Sequence, residues 1–244
     1  MKIFLQLSGG LGNQMFQYVF GKKIQKKYDC ELFFEHDNVG NRKYMLDIFG
    51  IQENKIPTNL VVNKIIYKGS FHNDTLSRYD NFIDKENYYI DGYFQHTEYF
   101  NEIQEDVYKI FKLDSPTKIN DDYVVLQIRR TDYVYTKSHL VCDVNWYYRA
   151  LQNFENIKKV VFVSDDLTWC KNNFTNLSKE LIFLELNEKE TLGFLQNSKN
   201  IIISNSTFGW WGAWLSKSTN VVQPKIWLNN DSSWELGCPL WLKI

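Results

Sequence analysis

The amino-acid sequence predicts an α/β protein built on a parallel, doubly wound sheet, and three observations lead there. Between residues 123 and 223, short apolar runs rich in Val and Ile alternate with helical patterns, the rhythm of strand-helix-strand units. The chain opens on an apolar run, Met1-Lys2-Ile3-Phe4-Leu5-Gln6-Leu7, that passes straight into glycines. Three of the later apolar runs end in polar residues, and the carboxyl ends of strands are where open parallel sheets collect ligands.

The opening run is too short for the apolar core of a signal peptide and reads as a first strand. Ser8-Gly9-Gly10-Leu11-Gly12-Asn13-Gln14-Met15-Phe16 then forms a turn, followed by a helical pattern that includes Met15 and Val19 and continues to about Tyr28. Gly10 and Gly12 in such a turn let the backbone approach a ligand, and the helix start favours negative charge. The spacing is not that of a dinucleotide fingerprint and there is no Gly-Lys-Ser/Thr, so a tight structural turn is an equal reading. Asn13 and Gln14 either meet a ligand or cap the helix. Glu31 to Phe34 reads as a second strand, and the polar residues from there to 87 yield no clear pattern. Tyr88 to Phe94 reads as a strand leading to Gln95 and His96, the latter either meeting a substrate or, as a lone His at a strand end more often does, capping. From Thr97, the spacing of Phe100, Ile103, Val107, Ile110 and Phe111 predicts an amphipathic helix. Leu113-Asp114-Ser115-Pro116-Thr117 ends it and divides a domain of residues 1–115 from one of residues 116–244.

In the second half, strands are expected at 123–128, 159–163, 181–184, 200–204 and 220–223, with helices at about 143–157, 167–174, 188–197 and 206–216. The run Val124-Val125-Leu126-Gln127-Ile128 ends in Arg129-Arg130-Thr131-Asp132. Arginine suits phosphate because its planar fork gives two parallel hydrogen bonds and keeps its charge. A structural Arg-Asp pair is the alternative. Asp165, after the run at 159–163, either accepts hydrogen bonds from a base or ribose or belongs to a helix cap with Asp166. Asn205, Ser206, Thr207 and Phe208 open a helix whose leading amides and hydroxyls suit a phosphate. Taken together at one sheet edge, these groups describe a nucleotide diphosphate pocket.

Composition narrows the classes. Net charge is -1, so no overall field draws the chain to nucleic acid or an anionic membrane. The 4 cysteines form no Cys-x-x-Cys pair and read as reduced thiols of a cytoplasmic protein without structural zinc. No apolar run has membrane-spanning length, so association with the inner face of the membrane is at most peripheral. The 8 tryptophans invite a search for stacking surfaces, although Trp210, Trp211 and Trp214 at helical spacing read as core.

The motifs together resemble glycosyltransferase family 11, the bacterial α-1,2-fucosyltransferases. The resemblance lies in Gly9-Gly10-Leu11-Gly12-Asn13-Gln14-Met15-Phe16-Gln17-Tyr18, Arg129-Arg130-x-Asp132-Tyr133, Phe162-Val163-Ser164-Asp165-Asp166 and Ser204-Asn205-Ser206-Thr207-Phe208-Gly209-Trp210-Trp211-Gly212-Ala213-Trp214. They come in the family's order and span almost the whole chain. The resemblance implies a GT-B fold of two Rossmann-like domains facing across a cleft, with the final segment packing back on the first domain. It also implies GDP-fucose as donor, a galactose-terminated glycan as acceptor, inversion at the anomeric carbon, and neither metal nor cofactor. On this reading the second domain holds the donor through Gln127, Arg129, Arg130, Asp165 and Asn205 to Phe208, and the first closes Gly10 to Gln14 over it. Gln127 stands where the family usually has His, which leaves another GDP-sugar or a non-catalytic binding role open. Arg129 takes the role a metal plays elsewhere. Arg130 either shares that role or anchors the loop. The base is not fixed by the motifs; His139 and Asp132 are the candidates, with Asp143 reading as a helix cap.

Overall fold

The computed structural model describes residues 1–37, 42–59, 61–67, 86–115, 117–119, 122–137, 139–229, 236, 238 and 240–244. Pro116 and Ser138 lie outside them. The chain forms two compact units: Met1–Phe111 with Trp234–Gly237, and Lys112–Ser233 with Cys238–Ile244. Both are α/β, and every paired strand in either sheet runs parallel to its neighbours.

The first unit carries strands β1 (Lys2–Leu7), β2 (Glu31–His36), β3 (Lys64–Tyr67) and β4 (Tyr88–Asp91) in the order β2-β1-β4-β3. Ile3, Phe4, Leu5 and Leu7 of β1 are all buried, the signature of a strand covered on both faces. Helix α1 (Leu11–Tyr28) is buried on nearly every side from Leu11 to Ile24, so it is a central packing element with no wide solvent face. It ends where Asp29 turns into the left-handed region (φ 47°), with Lys26 and Lys27 in the last turn complementing the helix dipole.

Beyond β4 the structure departs from the expected helix. Residues Thr97–Tyr99 and Asn101–Ile103 form separate 3-10 turns before helix α2 (Gln104–Ile110) begins. Phe100 is the cause: its backbone leaves the helical region (φ -144°, ψ 9°) while its fully buried ring packs 6.1 Å from that of Phe16. Burial of one ring outweighs helical propensity here.

The second unit holds β5 (Tyr123–Ile128), helix α3 (Thr131–Tyr135), helix α4 (Val144–Leu151), β6 (Lys159–Ser164), helix α5 (Leu167–Asn173) and β7 (Glu180–Phe183). It continues with helix α6 (Glu188–Gln196), β8 (Asn200–Ile203), helix α7 (Thr207–Leu215), β9 (Asn220–Gln223) and β10 (Leu242–Lys243). The strand order is β10-β9-β8-β5-β6-β7. The chain therefore starts in the middle at β5, winds one way through β6 and β7, then returns to the other side of β5 at β8. Val124, Leu126, Val160 and Phe162 face Tyr147, Ala150 and Cys170 of α4 and α5. The alternate positions turn the other way, where Tyr123 stacks on Phe194 of α6 and Gln127 meets Gly209 of α7. Helices thus cover both faces.

Caps confirm the helix starts in chemical terms. Asp143 accepts from the Trp146 amide, Asp166 from that of Trp169, and Asn187 forms a reciprocal capping box with Glu190. Between α4 and β6, Lys179 Nζ donates to the carbonyls of Phe154 (3.3 Å), Glu155 (3.0 Å) and Ile157. One ammonium thus gathers three carbonyls of the turn that links the helix to β6. Lys179→Met is expected to lower stability by about 1.5–3 kcal/mol, the range for charge-assisted bonds, read as a reduced midpoint in urea with unchanged slope.

Candidate active site

The carboxyl ends of β5 and β8 are adjacent, and they flank the point at which the strand order reverses. That is the position at which open α/β sheets seat ligands. Arg129 leaves β5 there. Its Nη2 lies 2.6 Å from Asp132 Oδ1 and its Nη1 3.0 Å from Asp165 Oδ2, with the guanidinium 5.4 Å from the Tyr133 ring. Asp165, from the end of β6, also accepts from the Arg130 amide (2.9 Å) and the Thr131 hydroxyl (2.5 Å). Of the two helix-cap candidates, Asp166 makes the cap and Asp165 ties the β5 loop.

Arg130 takes a different direction. Its guanidinium lies 3.8 Å above the Trp169 ring, its Nε is buried without a hydrogen bond, and Asp166 stands at 4.0 Å. A stacked guanidinium of this kind anchors the loop on α5. His139 joins the cluster through its ring, tilted 4.2 Å from that of Tyr133. Burial lowers its pKa from the usual 6.5; Asp132 opposes that shift and Arg129 adds to it. His139 is thus held toward its neutral, proton-accepting form.

After β8 the polar residues divide. Asn205 is buried and donates to the carbonyls of Leu140 and Trp227 (2.8 Å), so it staples two loops instead of facing outward. Ser206 supplies no side-chain cap to α7, and Thr207 and Phe208 begin that helix partly exposed. Gln127 is buried, its Oε1 accepting from Ser204 Oγ at 3.1 Å. A Cβ on Gly209 would sit 2.2 Å from that same oxygen, so the glycine is what lets α7 close on β5. Trp210, Trp211 and Trp214 are buried in the core, as their spacing predicts.

The glycine turn belongs to the first unit. Gly9 adopts φ 77°, a conformation natural to glycine. Gln14 is fully buried: its Nε2 donates to the Gly9 (2.9 Å) and Lys43 (2.8 Å) carbonyls and its Oε1 accepts from the Met45 amide (2.9 Å). Gln17 does the same for Ser8 and Gly92. Gly10 is the N-cap of α1, with no side-chain cap and no acid in the first turn, and Gly12 is buried within that turn. Asn13 Oδ1 accepts from Gln95 Nε2 at 2.8 Å.

Several groups at this edge escaped the sequence reading. The Arg42 guanidinium lies 3.5 Å from where a Cβ on Gly10 would stand. His36 donates from Nε2 to the Gly9 carbonyl (3.2 Å). Asp91 has its carboxyl held above the usual range, by burial first and by Asp37 second. All sit in or beside segments without legible periodicity, and only the parallel register of β1, β2 and β4 unites them. Among the described residues, no group of three or more His, Cys, Asp or Glu side chains is arranged to hold a metal ion, and no helix is long and apolar enough to cross a membrane.

Parallel sheets with charged carboxyl edges place the chain in the Rossmann-like α/β class. It belongs to glycosyl transferase family 11, whose profile matches residues 2–234, and is therefore a glycosyltransferase. Similar proteins include an alpha-1,2-colitosyltransferase of Escherichia coli, 30% identical across 87% of both chains. Another is the O-antigen biosynthesis glycosyltransferase WbnK of Escherichia coli, 25% identical across 98% of this chain and 99% of the other.

Asp165→Ala would release Arg129 Nη1, the Arg130 amide and the Thr131 hydroxyl together. A loss of about 1–3 kcal/mol is expected in denaturant unfolding, with faster amide exchange confined to the loop after β5.

Proposed function

We propose that the chain is an inverting, metal-independent transferase of the GT-B type that moves L-fucose from GDP-fucose to the 2-hydroxyl of a β-galactoside in an O-antigen or related glycan. The observation that carries this reading is Arg129, a guanidinium fixed by carboxylates at the strand-order reversal. WbnK's name supports the O-antigen setting, and the colitosyltransferase's name supports the α-1,2 linkage.

Transfer separates charge: the diphosphate leaves with added negative character as the sugar becomes oxocarbenium-like. Groups that hold the diphosphate more tightly in that state lower the barrier. In the free chain the Arg129 charge is already matched. Asp132 is the more exposed partner, with 43% of its side chain accessible against 20% for Asp165. Donor phosphate displaces Asp132, while Asp165 keeps the fork oriented. The leading amides of α7 at Thr207 and Phe208 complete the anion site, so the reaction proceeds without a cation. The released Asp132 stands beside His139, which takes the acceptor hydroxyl's proton.

The 30% identity to a colitosyltransferase supports a second reading, in which the same site takes a colitosyl nucleotide. Gln127 leaves the sugar open. Incubating the protein with GDP-fucose or GDP-colitose and a methyl β-galactoside, in EDTA, distinguishes the two by product mass. Absence of product from both donors would remove the α-1,2-galactoside reading, and product only after adding manganese would remove the cation-free one.

Arg129→Lys keeps the charge and loses the fork, so kcat is expected to fall about 10²–10³-fold with little change in melting. Wild-type activity should fall on acidification at a lower pH than an ordinary imidazole would give, because burial lowers the His139 pKa. In His139→Gln that acidic limb disappears and the residual rate is roughly 10²–10⁴-fold lower.

A further inference from the structure

We propose that Gln95 is a specificity residue of the first unit, whose side-chain carbonyl takes a hydrogen bond from a sugar hydroxyl bound at the glycine turn. The proposal rests on the glycosyl-transfer reading above.

Gln95 is only 7% exposed. Its Nε2 donates to Asn13 Oδ1 at 2.8 Å, and its Oε1 is buried with no hydrogen-bond partner. Buried acceptors are almost always satisfied, because leaving one empty forfeits its bonds to water. The neighbouring backbone accepts a further cost to hold this arrangement. Phe94 lies in the left-handed region (φ 49°), where a bulky side chain is strained. Its ring stacks on Phe20 at 3.8 Å and meets Tyr99 edge-on at 5.6 Å, and the His96 amide closes back on the Phe94 carbonyl (2.9 Å). Three contacts thus lock the chain so that Gln95 is carried to the start of α1.

The chemistry of the empty atom selects its partner. An amide oxygen only accepts, so an ionised phosphate oxygen cannot fill it and a hydroxyl can. This separates Gln95 from the anion-binding tendency of the adjacent helix start. Because the oxygen is shut off from solvent, a ligand reaches it only by displacing the side chains that cover it. The new bond offsets that displacement for a sugar bearing the hydroxyl and not for one lacking it, the asymmetry of a site built to hydrogen-bond. Donor and acceptor sugars share this chemistry, and the experiment separates them.

Calorimetric titrations of the whole chain and of Gln95→Met would use GDP, GDP-fucose and methyl β-galactoside in the presence of GDP. These need no turnover, so they remain readable if the transfer reading fails, which wild-type product formation tests by itself. Expected is a loss of roughly tenfold or more in the variant's affinity for one sugar, with GDP affinity unchanged; loss of the bond to Asn13 lowers the melting temperature modestly while the chain stays folded. A change in GDP-fucose marks the donor's sugar, and a change in the galactoside marks the acceptor. Gln95→Glu, which keeps an acceptor oxygen, should recover part of the loss. Equal weakening of GDP itself, loss of cooperative unfolding in the variant, or unchanged affinity for both sugars would overturn the proposal.

Discussion

A guanidinium fastened between two carboxylates governs what the end of β5 can do. Arg129 alone at a sheet edge would be a mobile, solvated cation. Asp165 reaches it from the neighbouring strand and at the same time accepts from the Arg130 amide, so side-chain direction and loop backbone are fixed by one group. This depends on the parallel sheet: because all strands point one way, loops after β5, β6 and β8 emerge at the same edge and can bond to one another. An antiparallel neighbour would have sent Asp165 to the opposite end.

Much of the remaining fastening is done without charge. Gln14, Gln17, Asn205 and Gln127 are all buried, and each engages groups far away in sequence. A carboxamide offers two donors and an acceptor while avoiding the desolvation cost of an ion, so it can staple loops from inside the core. In the second unit, Arg129 and His139 lie beside segments that Gln127 and Asn205 hold from within. Pre-organisation of this kind is what electrostatic catalysis requires, since a loop that relaxed around the leaving group would forfeit the advantage.

The second unit was readable because its strands are fully buried runs of Val and Ile separated by capped helices, and periodicity together with capping chemistry gives such elements away. That Arg129 and Asp165 share one sheet edge followed from their places at strand ends, but their ion pair did not. The roles of Gln14 and Asn205 did not: a buried carboxamide bonding to backbone looks the same in sequence as one awaiting a ligand. The break at Phe100 was hidden because a stripe of apolar residues at helical spacing says nothing about where one ring must go. Helix α3 is five residues long with no buried side chain, so it leaves no pattern to find. Arg42 and Gln95 gain meaning only from the register that brings distant segments to α1.

The distribution of indoles has a practical corollary. Of the 8 tryptophans, seven (Trp146, Trp169, Trp210, Trp211, Trp214, Trp227 and Trp241) fall in the second unit, and most are buried. Intrinsic emission therefore reports almost entirely on that half of the molecule, while the first half is seen through its tyrosines. Trp169 lies beneath Arg130, next to the residue that carries the ion-paired fork, which makes it a built-in optical probe of the loop after β5 requiring no label.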